Sequence, residues 1–340
     1  MLNVGIIGTG LQANRRASSI ATHAQCKIES IAGIVKEELD AMTSTYKAEP
    51  VSDWLDMVND PEIDIVVICT PPNLHYQIAE KALLAGKHVL CEKPLTMTSS
   101  DALKLYHLAN NVNKVLKCGF NHRFHPAMLK ANEIIKSGKI GRIITGRAVY
   151  GICGRNQCEN EWRSDPNYVS GGQLMEQGVH IVDLFRWYMG EFESISADVS
   201  TQVFSIEPLE DTAVILLHGK DGITATLHSS ITQWRNRFRL ELYGTEGYLE
   251  ITGLGGSYDL EQLHIGLRRP TEPFTETVID YRGNDKSWKA EWEHFIEKIV
   301  DDKPMMGTAM DGAIANYIIE NSYVSSKNKC RVTLGGMQDE

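Results

Sequence analysis

The chain has 340 residues, of which 42% are hydrophobic and 23% are charged, and its formal net charge is −10 at pH 7. This length favours two domains, and the acidic balance argues against a nucleic-acid partner or an anionic membrane surface. No run of about 18 uninterrupted apolar residues occurs, and the first apolar strand begins at Leu2. The sequence therefore predicts neither a membrane span nor a signal peptide.

The seven cysteines are scattered, without a C-x-x-C pair, and Cys69, Cys91 and Cys118 lie in or beside apolar runs. This usage is typical of reduced, buried cysteines and predicts a cytoplasmic protein without a disulfide framework. Cys153 and Cys158 are the nearest pair, in a polar loop, and a metal role for them is disfavoured. We expect no metal site.

The first predicted elements are a short buried strand, a glycine turn and the start of a helix. The turn has the pattern G-x-G-x-x-A, and its residues are Gly8, Thr9, Gly10, Leu11, Gln12 and Ala13. In this pattern Gly8 makes the turn, Gly10 lets the backbone approach a pyrophosphate, and Ala13 lets the helix pack closely. Residues 8–12 are therefore predicted to bind the phosphates of a dinucleotide at the helix N-terminus.

The end of the second strand, predicted from Cys26 to Val35, indicates which nicotinamide cofactor is bound. NAD sites place an acid there for the ribose hydroxyls. Here the strand ends in Ile34-Val35-Lys36, and Lys36 suits a 2′-phosphate, with help from Arg15 or Arg16. Glu37 could still reach the ribose if the turn is offset. NAD and NADP both remain open, with a slight preference for NADP.

Strands and helices alternate through the rest of the N-terminal half. Strands are predicted at Ile63 to Cys69, up to Glu92, and at Lys114 to Gly119, with helices at Tyr76 to Ala85 and Ser99 to Asn110. This alternation predicts a parallel sheet covered on both faces. The loop after the third strand supplies candidate contacts to the nicotinamide side of the cofactor, namely Thr70, Pro71, Asn73 and His75. For Asn73 and His75, capping of the loop is an equally good interpretation.

Glu92-Lys93-Pro94 follows an apolar strand at the sheet edge where doubly wound sheets bind ligands. A proline beside the lysine limits the backbone, and an X–Pro bond can be cis. A partly buried lysine can pass protons near neutral pH. Glu92 and Lys93 are therefore candidates for cofactor binding, and Lys93 for catalysis.

After Asn121 the pattern changes to an α+β domain. A helix is predicted at Pro126 to Ser137 and two more near residues 287–300 and 310–323. The strand-like runs between them, separated by turn signals, predict a largely antiparallel sheet with one buried face. They are residues 143–150, 212–217, 223–229, 237–243 and 247–251. We expect a dinucleotide-binding domain at residues 1–121 and a substrate-binding and oligomerisation domain at 122–340.

The helix predicted to follow Gly171-Gly172 carries Glu176, His180 and Asp183 on one face at i, i+4 and i+7. Most of its remaining circumference is apolar, so the polar stripe is costly unless it is paired or used. His180 can accept a proton, with Asp183 or Glu176 fixing its tautomer. A structural network is the alternative.

The motifs, in chain order, resemble the glucose–fructose oxidoreductase / inositol dehydrogenase / MocA dehydrogenase family. They are Gly8-Thr9-Gly10, Thr70-Pro71-Pro72-Asn73-x-His75, Ala85-Gly86-Lys87-His88-Val89-x-x-Glu92-Lys93-Pro94, Gly119-Phe120-Asn121-x-Arg123-Phe124 and Gly171-Gly172…Gly178-Val179-His180-x-x-Asp183. The resemblance implies a doubly wound Rossmann domain, a second domain with a large open sheet, and an active site in the cleft between them. It implies that Lys93 and His180 are catalytic. A family aspartate is here Glu176, one methylene longer, so the charge is kept while the reach changes, and Glu176 is a candidate catalytic and substrate-binding residue.

The resemblance also implies hydride transfer from a substrate hydroxyl carbon to the nicotinamide, with His180 or Lys93 taking the hydroxyl proton. Aromatic and arginine side chains suit a sugar ring and an anionic group. The candidate substrate contacts, besides Lys93, Glu176 and His180, are Asn121, Arg123, Tyr150, Arg155, Trp162, Arg163 and the run Trp234-Arg235-Asn236-Arg237.

The expected substrate is a sugar, sugar acid, polyol or nucleotide-linked sugar of surface-polysaccharide metabolism, and the expected assembly is a homodimer or homotetramer. Two alternatives remain. One is a redox-neutral enzyme with tightly held NAD, and the other is a non-catalytic nucleotide-sensing regulator.

Overall fold

The computed structural model describes residues 1–256, 258–273 and 275–337. The chain divides into two compact units. The first unit comprises Met1–Asn121 and Trp288–Ala313, and the second comprises His122–Ser287 and the chain from Ile314 onward.

The segment Trp288–Ala313 belongs to the first unit, whereas the sequence-based division placed it in the second. The physical reason is packing. Trp292, Phe295 and Ile296 are buried in the hydrophobic core that Val4 and Ile6 also line. A late stretch of chain therefore completes a core that the N-terminal strands begin.

The first unit contains a six-stranded parallel sheet in the order β3-β2-β1-β4-β5-β6, which confirms the predicted doubly wound sheet. Strands β1 to β6 are Leu2–Ile7, Cys26–Ala32, Glu49–Val51, Ile65–Ile68, His88–Glu92 and Leu116–Gly119. Helices α1 to α5 are Leu11–Ala21, Lys36–Tyr46, Trp54–Asn59, His75–Leu84 and Ser99–Asn111. The strand order reverses between β1 and β4, and ligands bind at such switch points.

The central strands of this sheet, β1, β4, β5 and β6, are largely buried on both faces, as their apolar sequences require. Val4 and Ile6 of β1 pack in the same core as Ala13 and Ala17 of α1. Gly5 points the other way, where a Cβ atom would lie 2.5 Å from the sulfur of Met57 in α3. The two faces of β1 are thus covered by different helices, and this fixes the loop at its C-terminal end.

The second unit contains a nine-stranded sheet in the order β14-β13-β12-β11-β7-β10-β9-β8-β15, antiparallel except for the β7–β10 pair. This confirms the predicted open, mostly antiparallel sheet. Strands β7 to β15 are Ile143–Cys153, Phe192–Ser200, Thr212–Gly219, Thr224–Ser230, Thr232–Gly244, Gly247–Thr252, Glu261–Leu267, Glu276–Tyr281 and Val332–Thr333. Helices α6 and α7 of this unit are Pro126–Lys136 and Val179–Met189. Helix α8, Ser287–Asp301, lies in the first unit from Trp288 on, and helix α9, Ala309–Asn328, passes from the first unit into the second after Ala313.

Helix α7 lies against this sheet and is almost wholly buried, from Val179 to Arg186. Gly146 of β7 leaves room for it, because a Cβ atom there would lie 2.9 Å from the ring of Phe185. The Tyr188 hydroxyl donates a hydrogen bond to the carbonyl of Met128 in α6. Packing on both sides thus fixes the face of α7 on which His180 lies.

Candidate active site

The glycine loop lies at the switch point of the first unit, between β1 and α1. Gly8 has a φ of 114°, and a Cβ atom there would lie 2.6 Å from the carbonyl oxygen of Cys69, so only glycine fits. Gly10 caps α1, and among the described residues no heavy atom lies within 4 Å of its ideal Cβ position. Asn14 donates hydrogen bonds to the carbonyls of Thr9 and Gly10. The loop is therefore rigid and open toward a phosphate.

Carboxylate Glu38 lies at this loop, although the sequence interpretation considered only Glu37. The Thr9 hydroxyl donates a 2.7 Å hydrogen bond to Oε2 of Glu38, which lies in the first turn of α2. Lys36 instead pairs with Asp40 at 2.9 Å, with 81% of its side chain exposed. The helix after β2 therefore places a carboxylate at the glycine loop, whereas the end of β2 carries none.

The loop after β4 offers two buried polar atoms at the same switch point. Oγ1 of Thr70 and Oδ1 of Asn73 are buried and have no hydrogen-bond partner within the described chain. Both ring nitrogens of His75, by contrast, have hydrogen-bond partners. Its ring nitrogens lie 2.9 Å from the carbonyl oxygens of Thr70 and Pro94, and burial lowers its pKa. His75 thus joins the β4 loop to the loop that carries Lys93.

The unpartnered side-chain oxygens of Thr70 and Asn73, together with the open glycine loop, fit a bound dinucleotide. Leu11, 62% exposed, and Gln12 follow the cradle on the first turn of α1, which carries no acidic residue. The helix N-terminus favours a diphosphate there. The residues present thus match the chemistry of a nicotinamide dinucleotide, with Thr70, Pro71 and Asn73 beside the loop.

Lys93 is partly buried and follows the last residue of β5, and the Lys93–Pro94 bond is cis. The residue before it, Glu92, is held by Arg16 of α1, whose Nε lies 2.7 Å from Oε1 of Glu92. Arg16 also contacts Glu291 of α8 at 2.5 Å, and Lys117 lies 3.5 Å from the same carboxylate. A buried four-residue ion network therefore anchors the chain beside Lys93.

The segment that carries His180 begins at Gly172, where Glu210 satisfies the free amides of the helix start. Its carboxylate accepts 2.8 Å hydrogen bonds from the amides of Gly172 and Leu174, and burial raises its pKa. A Cβ atom on Gly172 would lie 2.0 Å from the carbonyl oxygen of Glu210. Residues Leu174–Gly178 wind as a π-helix before α7, where the sequence predicted one regular helix.

The two acids predicted beside His180 are each bound by an arginine. Asp183 accepts two hydrogen bonds from Arg123, at 2.7 and 2.5 Å, and both side chains are buried. Glu176 accepts a 2.9 Å hydrogen bond from Arg163. The idea that either acid fixes the tautomer of His180 stays a prediction.

The ring of His180 stacks on that of His122, with centroids 3.7 Å apart and planes 16° apart. Nε2 of His122 lies 3.0 Å from the hydroxyl of Tyr150, and both His122 and His180 are buried. His122 stands within the motif Asn121-His122-Arg123-Phe124, but no role was predicted for it. The one sequence signal for a role of His122 was its position between the candidate site residues Asn121 and Arg123.

The other predicted substrate contacts differ in exposure. Asn121 and Tyr150 are buried, whereas Trp162 is 36% exposed and stacks under the guanidinium of Arg163 at 4.2 Å. Arg163 also lies 3.7 Å from Glu161. Further out, Arg155 pairs with Glu161, Arg235 pairs with Asp259, and Trp234 is 62% exposed. Trp162, Arg163 and Glu176 thus form one connected polar group in the second unit.

Within residues 1–256, 258–273 and 275–337, no cluster of three or more histidine, cysteine, aspartate or glutamate side chains could hold a metal ion. No helix in the described part of the chain has the length and apolar character needed to cross a membrane.

Two family models match the sequence. An oxidoreductase family model with an NAD-binding Rossmann fold matches residues 2–120, and a GFO/IDH/MocA C-terminal domain model matches residues 128–250. An uncharacterised oxidoreductase of Schizosaccharomyces pombe is 36% identical over 312 residues, which cover 82% of this chain and 83% of that protein. Levoglucosan dehydrogenase of Pseudarthrobacter phenanthrenivorans is 31% identical over 221 residues, or 59% of this chain and 55% of that enzyme. That match spans about half the enzyme's length.

Solved structures agree in fold. Levoglucosan dehydrogenase in complex with NADH and L-sorbose has a TM-score of 0.91 at 23% identity, covering 98% of this chain and 99% of that chain. Its complex with NADH and levoglucosan has a TM-score of 0.90 at the same identity, with the same coverage. Inositol 2-dehydrogenase of Salmonella typhimurium is 23% identical over 322 residues, which cover 92% of this chain and 91% of that enzyme.

Proposed function

This chain belongs to the GFO/IDH/MocA family of NAD-binding oxidoreductases, and we propose that it oxidises a secondary hydroxyl of a sugar or polyol to a carbonyl. One observation carries the proposal. The open glycine cradle and the orphaned atoms of Thr70 and Asn73 lie at the sheet's switch point, and Lys93 directly follows β5, the strand next to β4. The glycine loop that would hold the cofactor and the lysine that would transfer the proton thus lie at the same edge of one sheet.

The reaction balances as two transfers from one CHOH group of the substrate. The C–H bond breaks and its hydride goes to the nicotinamide, while the O–H bond breaks and its proton goes to a base, which leaves a C=O bond. The bound NAD would supply only the hydride acceptor. We propose Lys93 and His180 as the acid–base pair, and general acid–base catalysis typically contributes about 10²–10⁴-fold.

The cofactor we propose is NAD rather than NADP, and Glu38 supports this choice. Its carboxylate is held at the glycine loop by Thr9, where it can accept hydrogen bonds from ribose hydroxyls and would repel a 2′-phosphate. Lys36, which the sequence offered for a phosphate, pairs with Asp40 and is exposed. Glu92 and His75 support the cofactor site through the Lys93 loop and do not contact it in this proposal.

The substrate class we propose is a neutral sugar or polyol, and the pairing of charges in the second unit supports it. Arg123 and Arg163, which suited an anionic group, are neutralised by Asp183 and Glu176. Trp162 offers an exposed aromatic face for a sugar ring. The relatives named for levoglucosan and inositol act on molecules of this class.

The test is an absorbance screen at the nicotinamide band with free sugars, inositols, anhydrosugars, sugar acids and nucleotide sugars, each with NAD and NADP. We expect turnover with neutral sugars or polyols and NAD. Lys93→Met should lower kcat by about 10²–10⁴-fold while NADH still binds, as measured by its fluorescence. Lys104→Met, at an exposed lysine of α5, is the matched control. Unchanged turnover in Lys93→Met would refute the role of Lys93, and silence with bound NADH would refute the dehydrogenase in favour of a redox-neutral enzyme or a regulator.

Two further properties follow as proposals. We propose a homodimer or homotetramer formed through the second unit, which rests on analogy with other open-sheet domains. We also propose a cytoplasmic location. The seven cysteines, all of which lie in described ranges, are free, and this state suits a reducing compartment.

A further inference from the structure

The side chain of His75 is buried between two loops of the first unit and faces a backbone carbonyl with each of its ring nitrogens. Nδ1 lies 2.9 Å from the carbonyl oxygen of Pro94, in the loop that carries Lys93, and Nε2 lies 2.9 Å from that of Thr70, in the loop after β4. Only 1% of His75 is exposed. A carbonyl oxygen can only accept a hydrogen bond, so hydrogen bonds at both contacts would require two N–H donors from one ring.

The ring has a single N–H donor because its surroundings keep it neutral near neutral pH. Burial lowers the pKa of His75 from its ordinary value of 6.5. His75 is also the first residue of α4, and the positive end of a helix dipole disfavours a cation there. The carboxylate of Glu92, which favours the charged ring, is bound by Arg16. The neutral imidazole can therefore donate to one of the two carbonyls, but not to both at once.

The two carbonyls differ in what the loss of a donor would cost. Pro94 is buried, so its carbonyl oxygen would be desolvated without compensation if the ring did not donate to it. Thr70 is only half-buried, and water can donate to its carbonyl oxygen in place of the ring. The lower free energy therefore belongs to the tautomer with its proton on Nδ1, which leaves Nε2 unprotonated.

The contact with Pro94 completes the attachment of the backbone around Lys93. Before Lys93, the carboxylate of Glu92 accepts a 2.7 Å hydrogen bond from Nε of Arg16 in α1. After Lys93, the carbonyl of Pro94 is held by His75 in α4. The residues on either side of Lys93 are thus tied to two different helices, and both attachments together fix where its Cα–Cβ bond points.

We propose that His75 is a positioning residue for Lys93 and that it acts as the neutral ring with its proton on Nδ1. The Nδ1–H group holds the carbonyl of Pro94, and the unprotonated Nε2 leaves the loop at Thr70 less firmly attached. Lys93 therefore keeps a fixed backbone during turnover, whereas the loop after β4 can adjust to the cofactor. The catalytic consequence rests on the proposed dehydrogenase, but the tautomer and the attachment of the Lys93 loop do not.

The tautomer is measured by ¹⁵N NMR of the full-length chain with labelled histidine at neutral pH, without any substrate. We expect Nδ1 of His75 to carry the proton and Nε2 to carry none. The signals of His75 are identified as those missing from His75→Asn or from His75→Gln. A ring protonated on Nε2, or on both nitrogens, would overturn the inference.

Two variants separate the two contacts, because an asparagine amide nitrogen can take the place of Nδ1 and a glutamine amide nitrogen that of Nε2. His75→Asn should keep kcat within about threefold of the wild type. His75→Gln should lower kcat by about 10–100-fold, because Lys93 is displaced, while the KM for NAD changes by less than about threefold. His23→Gln, in the first unit, is the control and should leave kcat unchanged. Equal losses of kcat in the two His75 variants would overturn the positioning role.

Hydrogen–deuterium exchange provides a measurement that needs no turnover. The amides of residues 91–99 should exchange faster in His75→Gln than in the wild type, and at the wild-type rate in His75→Asn. This pattern, together with no turnover of the wild type on any substrate, would support the attachment of the Lys93 loop and refute the dehydrogenase. Equal exchange rates in all three proteins would refute the attachment even if the enzyme is active.

Discussion

The ion network beside Lys93 allows a quantitative prediction for Arg16→Met. Arg16 is fully buried, and its guanidinium lies between the carboxylates of Glu92 and Glu291, with the ring of Trp288 stacked at 4.6 Å. Burial alone would lower the pKa of Arg16, but Glu291 and then Glu92 raise it above its ordinary value. Methionine preserves most of the side-chain volume, so the substitution removes mainly the charge and its hydrogen bonds.

The magnitude follows from what the substitution leaves behind. Two buried carboxylates would remain with one cation, Lys117, 3.5 Å from Glu291. Removing one partner of a buried ion pair typically costs about 3–5 kcal/mol, because the remaining charge is desolvated without compensation. We therefore expect the free energy of unfolding to fall by about 3–5 kcal/mol. Adding Glu291→Gln to Arg16→Met should recover part of the loss, because it removes one uncompensated charge.

Urea unfolding followed by tryptophan fluorescence measures this change, since Trp54, Trp288 and Trp292 all lie in the first unit. The control is Lys36→Met, which breaks an ion pair whose side chains are 81% and 57% exposed. That loss should stay within about 1 kcal/mol. A loss of less than about 1 kcal/mol for Arg16→Met, or no recovery in the double variant, would contradict the reasoning.

Two further predictions concern the cofactor and pH. Glu38→Gln should raise the affinity for NADPH relative to NADH by about tenfold, because it removes a negative charge at the glycine loop. Binding titrations with both cofactors measure this ratio of affinities, and Glu37→Gln is the control. An unchanged ratio in Glu38→Gln would refute the proposed role of Glu38. Burial, with a smaller contribution from Lys114, lowers the pKa of His88 to about 4, while the unfolded chain keeps about 6.5. The unfolded state thus binds more protons between these values, so the free energy of unfolding should fall as pH drops from about 6.5 to about 4. Urea midpoints across this range should fall less steeply in His88→Phe, and equal slopes would contradict the assignment.

Local patterns along the chain were enough to identify the type of fold and the reaction class. The strand–glycine–helix pattern at Gly8 and the alternation that ends at Lys93 are local features, because glycine geometry and hydrophobic periodicity act over a few residues. They were sufficient to predict the parallel sheet, the open antiparallel sheet and membership of a dehydrogenase family, all of which are confirmed. The roles assigned to Lys93 and His180 remain predictions.

The side chains that hold the site together are identified only by the contacts of the folded chain. Arg16 and Glu291 meet across 275 positions of sequence, and no pattern of either segment predicts the pairing. His122 stacks on His180 because a turn and a helix are packed against the same sheet, and Glu38 lies at the glycine loop because α2 brings it back to Thr9. Such pairings depend on the packing of distant elements, whereas local patterns record only backbone preference and burial. The chain's own sequence thus fixes what each segment becomes, and folding fixes which charges and rings meet.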